Sequence, residues 1–300
     1  DINATFGNGQ YRSVTEHDGS GAVVDLMVSK LSDVGDVMEV TGLPAEDLTV
    51  TGDVSLRGDT VVFTDFAIGV GTARLTINGE VGSEAALDMV ANAPSLSVLS
   101  PDLPDIPLNA TAKLRHTSDL IEIDPFEIRF GESDIAGQFS VAGTDTPQLT
   151  LQVSSSQIDL RPFMKEEESE AGESAEATAE SEGEESPYVF QDEPLPLESL
   201  QGFGADVDVT IGRVQGRTAH FDDVKLTMDA DDGVITLDNS FRGGLSGEFE
   251  NFIELDASGA SAKLAIKAVA SDFTIGLFAG DTVPNDQVPR SDLEFDITAA

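Results

Sequence analysis

Apolar and polar residues alternate along most of this chain with a period of two. The runs Val61-Val62-Phe63, Leu75-Thr76-Ile77, Ile121-Glu122-Ile123 and Phe126-Glu127-Ile128-Arg129-Phe130 show it, and Val207-Asp208-Val209-Thr210-Ile211, Val224-Lys225-Leu226-Thr227-Met228 and Ile235-Thr236-Leu237 repeat it. Alternation sends successive side chains to opposite faces of a strand, giving one apolar face and one wet face. Between the runs stand Asp18-Gly19, Asn78-Gly79, Asp232-Gly233 and Arg242-Gly243-Gly244, which tolerate the positive φ of tight hairpins and are expected to be turns. A strand and its turn recur about every 10–15 residues, which predicts an all-β antiparallel fold with few short helices.

An internal repeat overlies this pattern. Leu87-Asp88-Met89 followed by Leu96-Ser97-Val98 matches Leu149-Thr150-Leu151 followed by Ile158-Asp159-Leu160. It matches again at Leu264-Ala265-Ile266 and Phe273-Thr274-Ile275, without a gap. Each window runs into a short apolar patch with turn or breaker residues, so repeated hairpin units stacked along a continuous core are expected. One segment stands apart. Residues 165–186 hold ten Glu, one Lys and no large apolar side chain. Such a stretch cannot offset its ordering entropy, so residues 165–190 are expected to form a mobile acidic insert between 1–164 and 191–300.

The chain has 300 residues, no Cys and no Trp, and 56 acidic against 16 basic side chains, for a formal charge of −40. That balance argues against nucleic acid as a partner, because phosphate binding needs a basic patch. The absence of Cys removes disulfides, thiolate chemistry and Cys-ligated metals. No apolar run reaches the roughly 20 residues of a membrane-spanning helix, and both ends read as cuts through strands. Catalytic signatures fail one by one. His17, His116 and His220 share no motif, and Gly244-Leu245-Ser246-Gly247-Glu248 is not a nucleophile elbow. Gly69-Val70-Gly71 lacks the third Gly and the helix of a dinucleotide loop, and is expected to be a turn. Asp229-Ala230-Asp231-Asp232-Gly233 begins like a calcium loop but has Ser240 at the twelfth position, so a hairpin is expected there. No catalytic residue, metal ligand or cofactor is expected.

Several stretches together resemble the AsmA-like envelope proteins of Gram-negative bacteria. They are Leu197-Glu198-Ser199-Leu200, Ala205-Asp206-Val207-Asp208-Val209-Thr210-Ile211, Phe221-Asp222-Asp223-Val224-Lys225-Leu226, Asp232-Gly233-Val234-Ile235-Thr236-Leu237 and Gly243-Gly244-Leu245-Ser246-Gly247. Phe126 to Gly137 and Ile158-Asp159-Leu160 fit as well. The resemblance implies a periplasmic protein anchored in the inner membrane by an N-terminal helix absent from this chain. It also implies a long, strongly curved sheet forming an open groove or half-barrel, of the kind used by bridge-like lipid-transfer proteins. Its implied partners are phospholipid or another acyl lipid, the inner and outer membranes, and envelope-assembly proteins.

Elementary physics bears on the same expectation. About 20 strands at ~4.8 Å spacing make a sheet on the order of 95 Å long, whose apolar face must fold over, pack on a second sheet or hold something greasy. A groove would gain ~0.8 kcal/mol per buried methylene of an acyl chain. The groove candidates are Phe63, Phe126, Ile128, Phe130, Leu149, Leu151, Val224, Leu226, Met228, Ile235 and Leu237. The competing expectation is a periplasmic scaffold or assembly modulator whose groove is filled by its own side chains, Phe249 among them. A calcium-stabilised adhesin and an enzyme follow behind.

Overall fold

The computed structural model describes residues 2–6, 9–14, 21–32, 43–143, 146–164, 202–217, 219–243, 247–259, 261–274 and 290–299. Among these residues, eighteen strands form one sheet. The first half comprises β1 (Ile2–Phe6), β2 (Gly9–Val14), β3 (Gly21–Val28), β4 (Leu48–Arg57), β5 (Thr60–Val70), β6 (Ala73–Val81), β7 (Ala85–Ala93), β8 (Leu108–His116) and β9 (Leu120–Phe130). The second half comprises β10 (Ser133–Ala142), β11 (Gln148–Ser155), β12 (Ile158–Asp159), β13 (Gly204–Gln215), β14 (His220–Asp231), β15 (Val234–Gly243), β16 (Gly247–Asp256), β17 (Lys263–Thr274) and β18 (Arg290–Ala299). Helical structure among the described residues is slight, with 3-10 turns at Leu96–Val98 and Arg161–Phe163.

Each strand pairs antiparallel with the next in sequence, with one exception. β11 and β12 pair in parallel with β13, so the connection from Met164 to Gly204 returns the chain from one rim of the sheet to the other. Among the described residues β1 pairs only with β2 and β18 only with β17, so the sheet is open rather than a closed barrel. The expected all-β antiparallel architecture is therefore the observed one. Residues 165–200, which contain the acidic insert and the start of the 191–300 region, lie outside the described residues, as do Asp18-Gly19 and His17.

Mid-strand bulges interrupt the alternation in four strands. The alternation breaks at Phe63-Thr64-Asp65-Phe66 in β5, Ile123-Asp124-Pro125-Phe126 in β9, Phe221-Asp222-Asp223-Val224 in β14 and Ala270-Ser271-Asp272-Phe273 in β17, each at a register shift. Asp65, Asp223 and Asp272 take φ of 49, 53 and 49°, a left-handed conformation that Asp tolerates better than most residues. The Asp65 N–H donates to Asn78 Oδ1 at 2.7 Å, and the Asp272 N–H to Asp292 Oδ1 at 2.8 Å. Pro125 sits at the β9 bulge, where a central strand tolerates the loss of an N–H donor. Bulges bend and twist the strands that carry them, so this set curves the sheet along its length.

The bulges correct three readings of the sequence. Asn78-Gly79 is not a turn but part of β6: Asn78 serves the Asp65 bulge, and a Cβ at Gly79 would lie 2.0 Å from the Ala86 carbonyl oxygen. The two runs around Asp124-Pro125 belong to the single strand β9. The third repeat window also differs from the others. β7 and β11 both end before the second half of their windows, which is a 3-10 turn in the first and the short strand β12 in the second, whereas β17 runs through to Thr274 by absorbing the break at Asp272. Asp232-Gly233 is a hairpin turn as expected, with φ of 45 and 86°, and Gly71 closes the β5–β6 turn.

Candidate functional site

The strand register decides which side chains share a face. One row runs from strand to strand as Ala22, Val54, Phe63, Gly79, Leu87, Leu114, Ile123, Phe139, Leu151, Val207, Met228, Leu237, Ile253, Ile266 and Ile297. No polar side chain interrupts it from β3 to β18, a path of roughly 65 Å at the usual strand spacing. The neighbouring row passes through Phe66, Ile77, Met89, Ala112, Phe126, Gly137, Val153, Val209 and Leu226. It then meets Asn239 and Asn251 before ending at Ala268. A third row, toward one rim, joins Val141, Leu149, Ala205, Ala230, Ile235, Leu255 and Leu264.

All eleven sequence candidates fall on this one face. Phe63, Leu151, Met228 and Leu237 stand in the first row, Phe126 and Leu226 in the second, and Leu149 and Ile235 in the third. Ile128 continues the face beside Ala110 and Ile135, Phe130 beside Leu108, and Val224 beside Ile211. Each of the eleven is half-buried. The fully buried apolar side chains are mainly Ala, and none of the large ones among the described residues is fully enclosed. A second layer over the face would enclose them. At the outer strand β18, Leu293 and Ile297 are 56 and 50% exposed, because they have sheet neighbours on one side only. The face is therefore broad, apolar and open.

Aromatic pairs stiffen it at the bulges. Phe63 and Phe66 meet edge to face across the β5 break at 5.3 Å between ring centroids. Phe221 meets Phe241 edge to face at 5.0 Å, and Phe241 stacks on Phe249 at 4.9 Å. Phe63 and Phe66 share one strand, and Phe221, Phe241 and Phe249 stand on three successive strands, so these rings lie side by side on the sheet.

The opposite face is polar and holds the smaller hollows. One of about 500 Å³ is lined by Lys225, Thr227, Asp238, Asn239, Ser240, Glu250, Asn251, Phe252, Lys267 and Val269. Another of about 480 Å³ lies over Gln138, Gln152, Ser154, Asp208 and Thr210. Cross-strand ladders occupy this face: Asn92 Nδ2 donates to Asn109 Oδ1 at 2.5 Å, and Gln138 Nε2 to Gln152 Oε1 at 2.7 Å.

The carboxylates with shifted affinity for protons sit at the ends of strands and hold the chain in place. Asp159, 5% exposed, accepts from Arg161 Nε and Nη2, both at 2.8 Å, and these hydrogen bonds hold its carboxyl below the ordinary value. Asp134 Oδ1 accepts from Ser156 Oγ at 2.6 Å and from the Ser156 and Gln157 N–H groups at 3.0 Å, which lower it likewise and fix the bend after β11. The Arg213 guanidinium, 2.6 Å away, lowers Asp222, with His220 Nε2 at 3.4 Å. Arg242 pairs with Asp223 beside it. These ion pairs anchor hairpins and the β12 excursion, and none faces the apolar rows. His116 stands at the end of β8 beside Ile121.

Sequence reading missed the polar pair Asn239–Asn251 and the apolar partners Phe139, Val207, Ile253 and Ile266. A signal for the rows was present in the alternation, but joining them needs the register, which the bulges shift by a residue at a time.

The AsmA family model matches residues 105–299. No curated protein and no solved structure matches the chain significantly. No helix among the described residues is long and apolar enough to cross a membrane.

Proposed function

The chain belongs to the AsmA family, and from that premise we propose that this segment is a non-enzymatic track for acyl lipid in the cell envelope. Phospholipid is the cargo, with its chains against the apolar face and its headgroup in water. On this reading the segment works in the periplasm, held at the inner membrane, and carries lipid between the inner and outer membranes in support of outer-membrane biogenesis. Envelope-assembly proteins are its macromolecular partners, and nucleic acid is not among them.

The observation that carries the reading is the unbroken apolar row from Ala22 on β3 to Ile297 on β18. A face of this length left in water exceeds what soluble proteins ordinarily expose without a ligand or partner. Half-buried rather than enclosed side chains favour an occupant from outside over a self-filled core. A row that never meets a polar side chain also lets a chain shift by one strand spacing without a large change in contact, which is what conduction along the sheet requires. Native mass spectrometry of the purified protein, followed by lipid extraction, tests the proposal. Co-purified diacyl lipid in stoichiometric amounts supports it. A protein that emerges empty and takes up no phospholipid from vesicles overturns it.

A further inference from the structure

A lipid lying on the apolar face must turn its headgroup toward one rim of the sheet, and the two rims differ in charge. Between the β8–β9 turn and the end of β16 the described arginines are Arg129 near the end of β9, Arg161 after β12, Arg213 near the end of β13, Arg217 in the β13–β14 turn and Arg242 near the end of β15. The strand register sets all of them at one rim. Over the same strands the opposite rim carries Asp119, Asp231, Asp232 and Asp256, with no arginine among the described residues. In a chain of formal charge −40, the carboxylate rim repels a phosphate and the arginine rim does not.

Three of these arginines are held by the chain's own carboxylates: Arg161 by Asp159 and Glu132, Arg213 by Asp222, and Arg242 by Asp223. Arg129 and Arg217 are exposed and have no carboxylate partner among the described residues. Arg217 Nη2 donates to the Met164 carbonyl, which leaves most of the five guanidinium N–H donors free. Leu160, Phe163 and Met164 stand exposed at the same place, and Met164 Cε lies 4.0 Å from where a Cβ on Gly216 would be. The Phe163 ring meets Phe130 edge to face at 5.9 Å. From Phe130 the apolar side chains of β9 lead inward from this rim, through Ile128 and Phe126 to Ile123. A free guanidinium bordering exposed apolar surface matches an amphiphile with an anionic head.

We propose that the arginine rim binds the phosphate of the lipid, with Arg217 as the contacting residue and Arg129 as a second contact about three strand spacings, or ~14 Å, along the rim. The inference rests on the lipid-track reading above. The planar guanidinium fork suits two phosphate oxygens at once. The acyl chains then lie along the strands, and the headgroup moves from one guanidinium to the next as the chains move across the sheet. A lipid with the same chains and no phosphate would gain nothing at this rim.

The test compares dioleoyl phosphatidylglycerol with dioleoylglycerol, each delivered from dodecylmaltoside micelles to the full chain. The unaltered protein is expected to bind the phospholipid about tenfold more tightly, the effect of one charge-assisted contact at an exposed rim. R217Q is expected to lose roughly threefold of that preference and R129Q/R217Q nearly all of it, while dioleoylglycerol binds as before. R57Q, the same charge change in the β4–β5 turn at the opposite rim, is expected to keep the preference. R129Q alone, expected to lose about twofold, carries the test should R217Q not fold. Inorganic phosphate in excess is expected not to displace the phospholipid, and displacement would make the rim a site for free anions and overturn the proposal. Equal binding of the two lipids by the unaltered protein, or a preference that R57Q lowers as much as R217Q does, overturns the arginine rim and leaves the track standing. Binding of neither lipid by the unaltered protein overturns the track itself.

Discussion

A carboxylate placed in the second apolar row distinguishes an open track from a packed core. Leu226 on β14 is half-buried, with Val209 and Asn239 beside it across the strands. Fully burying a Leu side chain contributes about 1.5–3 kcal/mol, so a half-buried one contributes about half of that. Leu226→Asp removes this contribution and adds a partial desolvation cost for the charge, together about 2 kcal/mol. In an enclosed core the same change would exceed about 4 kcal/mol, through an unpaired buried charge and lost packing. For a chain of this size 2 kcal/mol corresponds to a fall in melting temperature of roughly 4 °C. The variant is thus expected to stay folded by circular dichroism but to lose most of its lipid transfer between donor and acceptor vesicles. Thr210→Asp, exposed on the polar face of β13 opposite Lys225 and Ser154, is the control and is expected to change stability by less than about 0.5 kcal/mol and transfer not at all. A Leu226→Asp protein that unfolds would refute the open face. One that folds and transfers lipid at the normal rate would refute conduction along this row.

At Gly137 a Cβ would lie 2.0 Å from the Gln152 carbonyl oxygen and 3.0 Å from the Phe126 ring, so Gly137→Ala is expected to cost more than about 3 kcal/mol in urea denaturation. Gly58, with φ of +66° and open space around it, is expected to lose only about 1 kcal/mol on the same substitution. Because Asp159 is held below the ordinary carboxylate value of 3.8, its stabilising contribution is complete above that pH and is lost as the pH falls through its folded value. Asp159→Asn should therefore be less stable than the unaltered protein near neutrality, with the gap closing below about pH 4; a gap constant with pH in chemical denaturation would contradict this. Deleting residues 165–186 leaves 17 residues, 187–203, between Met164 and Gly204, about 55 Å at full extension, against about 40 Å for the 12-residue strand β13 that they must pass. The melting temperature is expected to shift by less than about 2 °C, and a larger fall would show that the acidic segment packs on the sheet.

The fold was legible because period-two alternation dominates almost every segment, and alternation also placed all eleven candidates on one face. The errors fell where local chemistry served a distant strand. Asn78-Gly79 has the composition of a hairpin turn, but Asn78 bonds the Asp65 bulge, and Gly79 is there because the next strand leaves no room for a Cβ. The runs Ile121–Ile123 and Phe126–Phe130, given separately, join through Asp124-Pro125 into the one strand β9, since a bulge tolerates both residues. The four apolar-polar-Asp/Pro-apolar interruptions at residues 63–66, 123–126, 221–224 and 270–273 recur in the sequence, and comparing them would have exposed the bulges. The Asn239–Asn251 pair was out of reach in principle. Twelve residues separate the two amides, and only the β15–β16 register sets them opposite each other.

The central claim is that lipid lies along the apolar row, and site-specific photocrosslinking tests it most directly. A photoreactive residue placed singly at Leu87, Leu151 and Leu237 samples that row on β7, β11 and β15, and one at Asp88, Gln152 and Asp238 samples the opposite face of the same strands. With phospholipid vesicles present, the account predicts lipid adducts at all three row positions and none at the three polar ones. Adducts distributed equally between the two faces, or absent from the row, would contradict it.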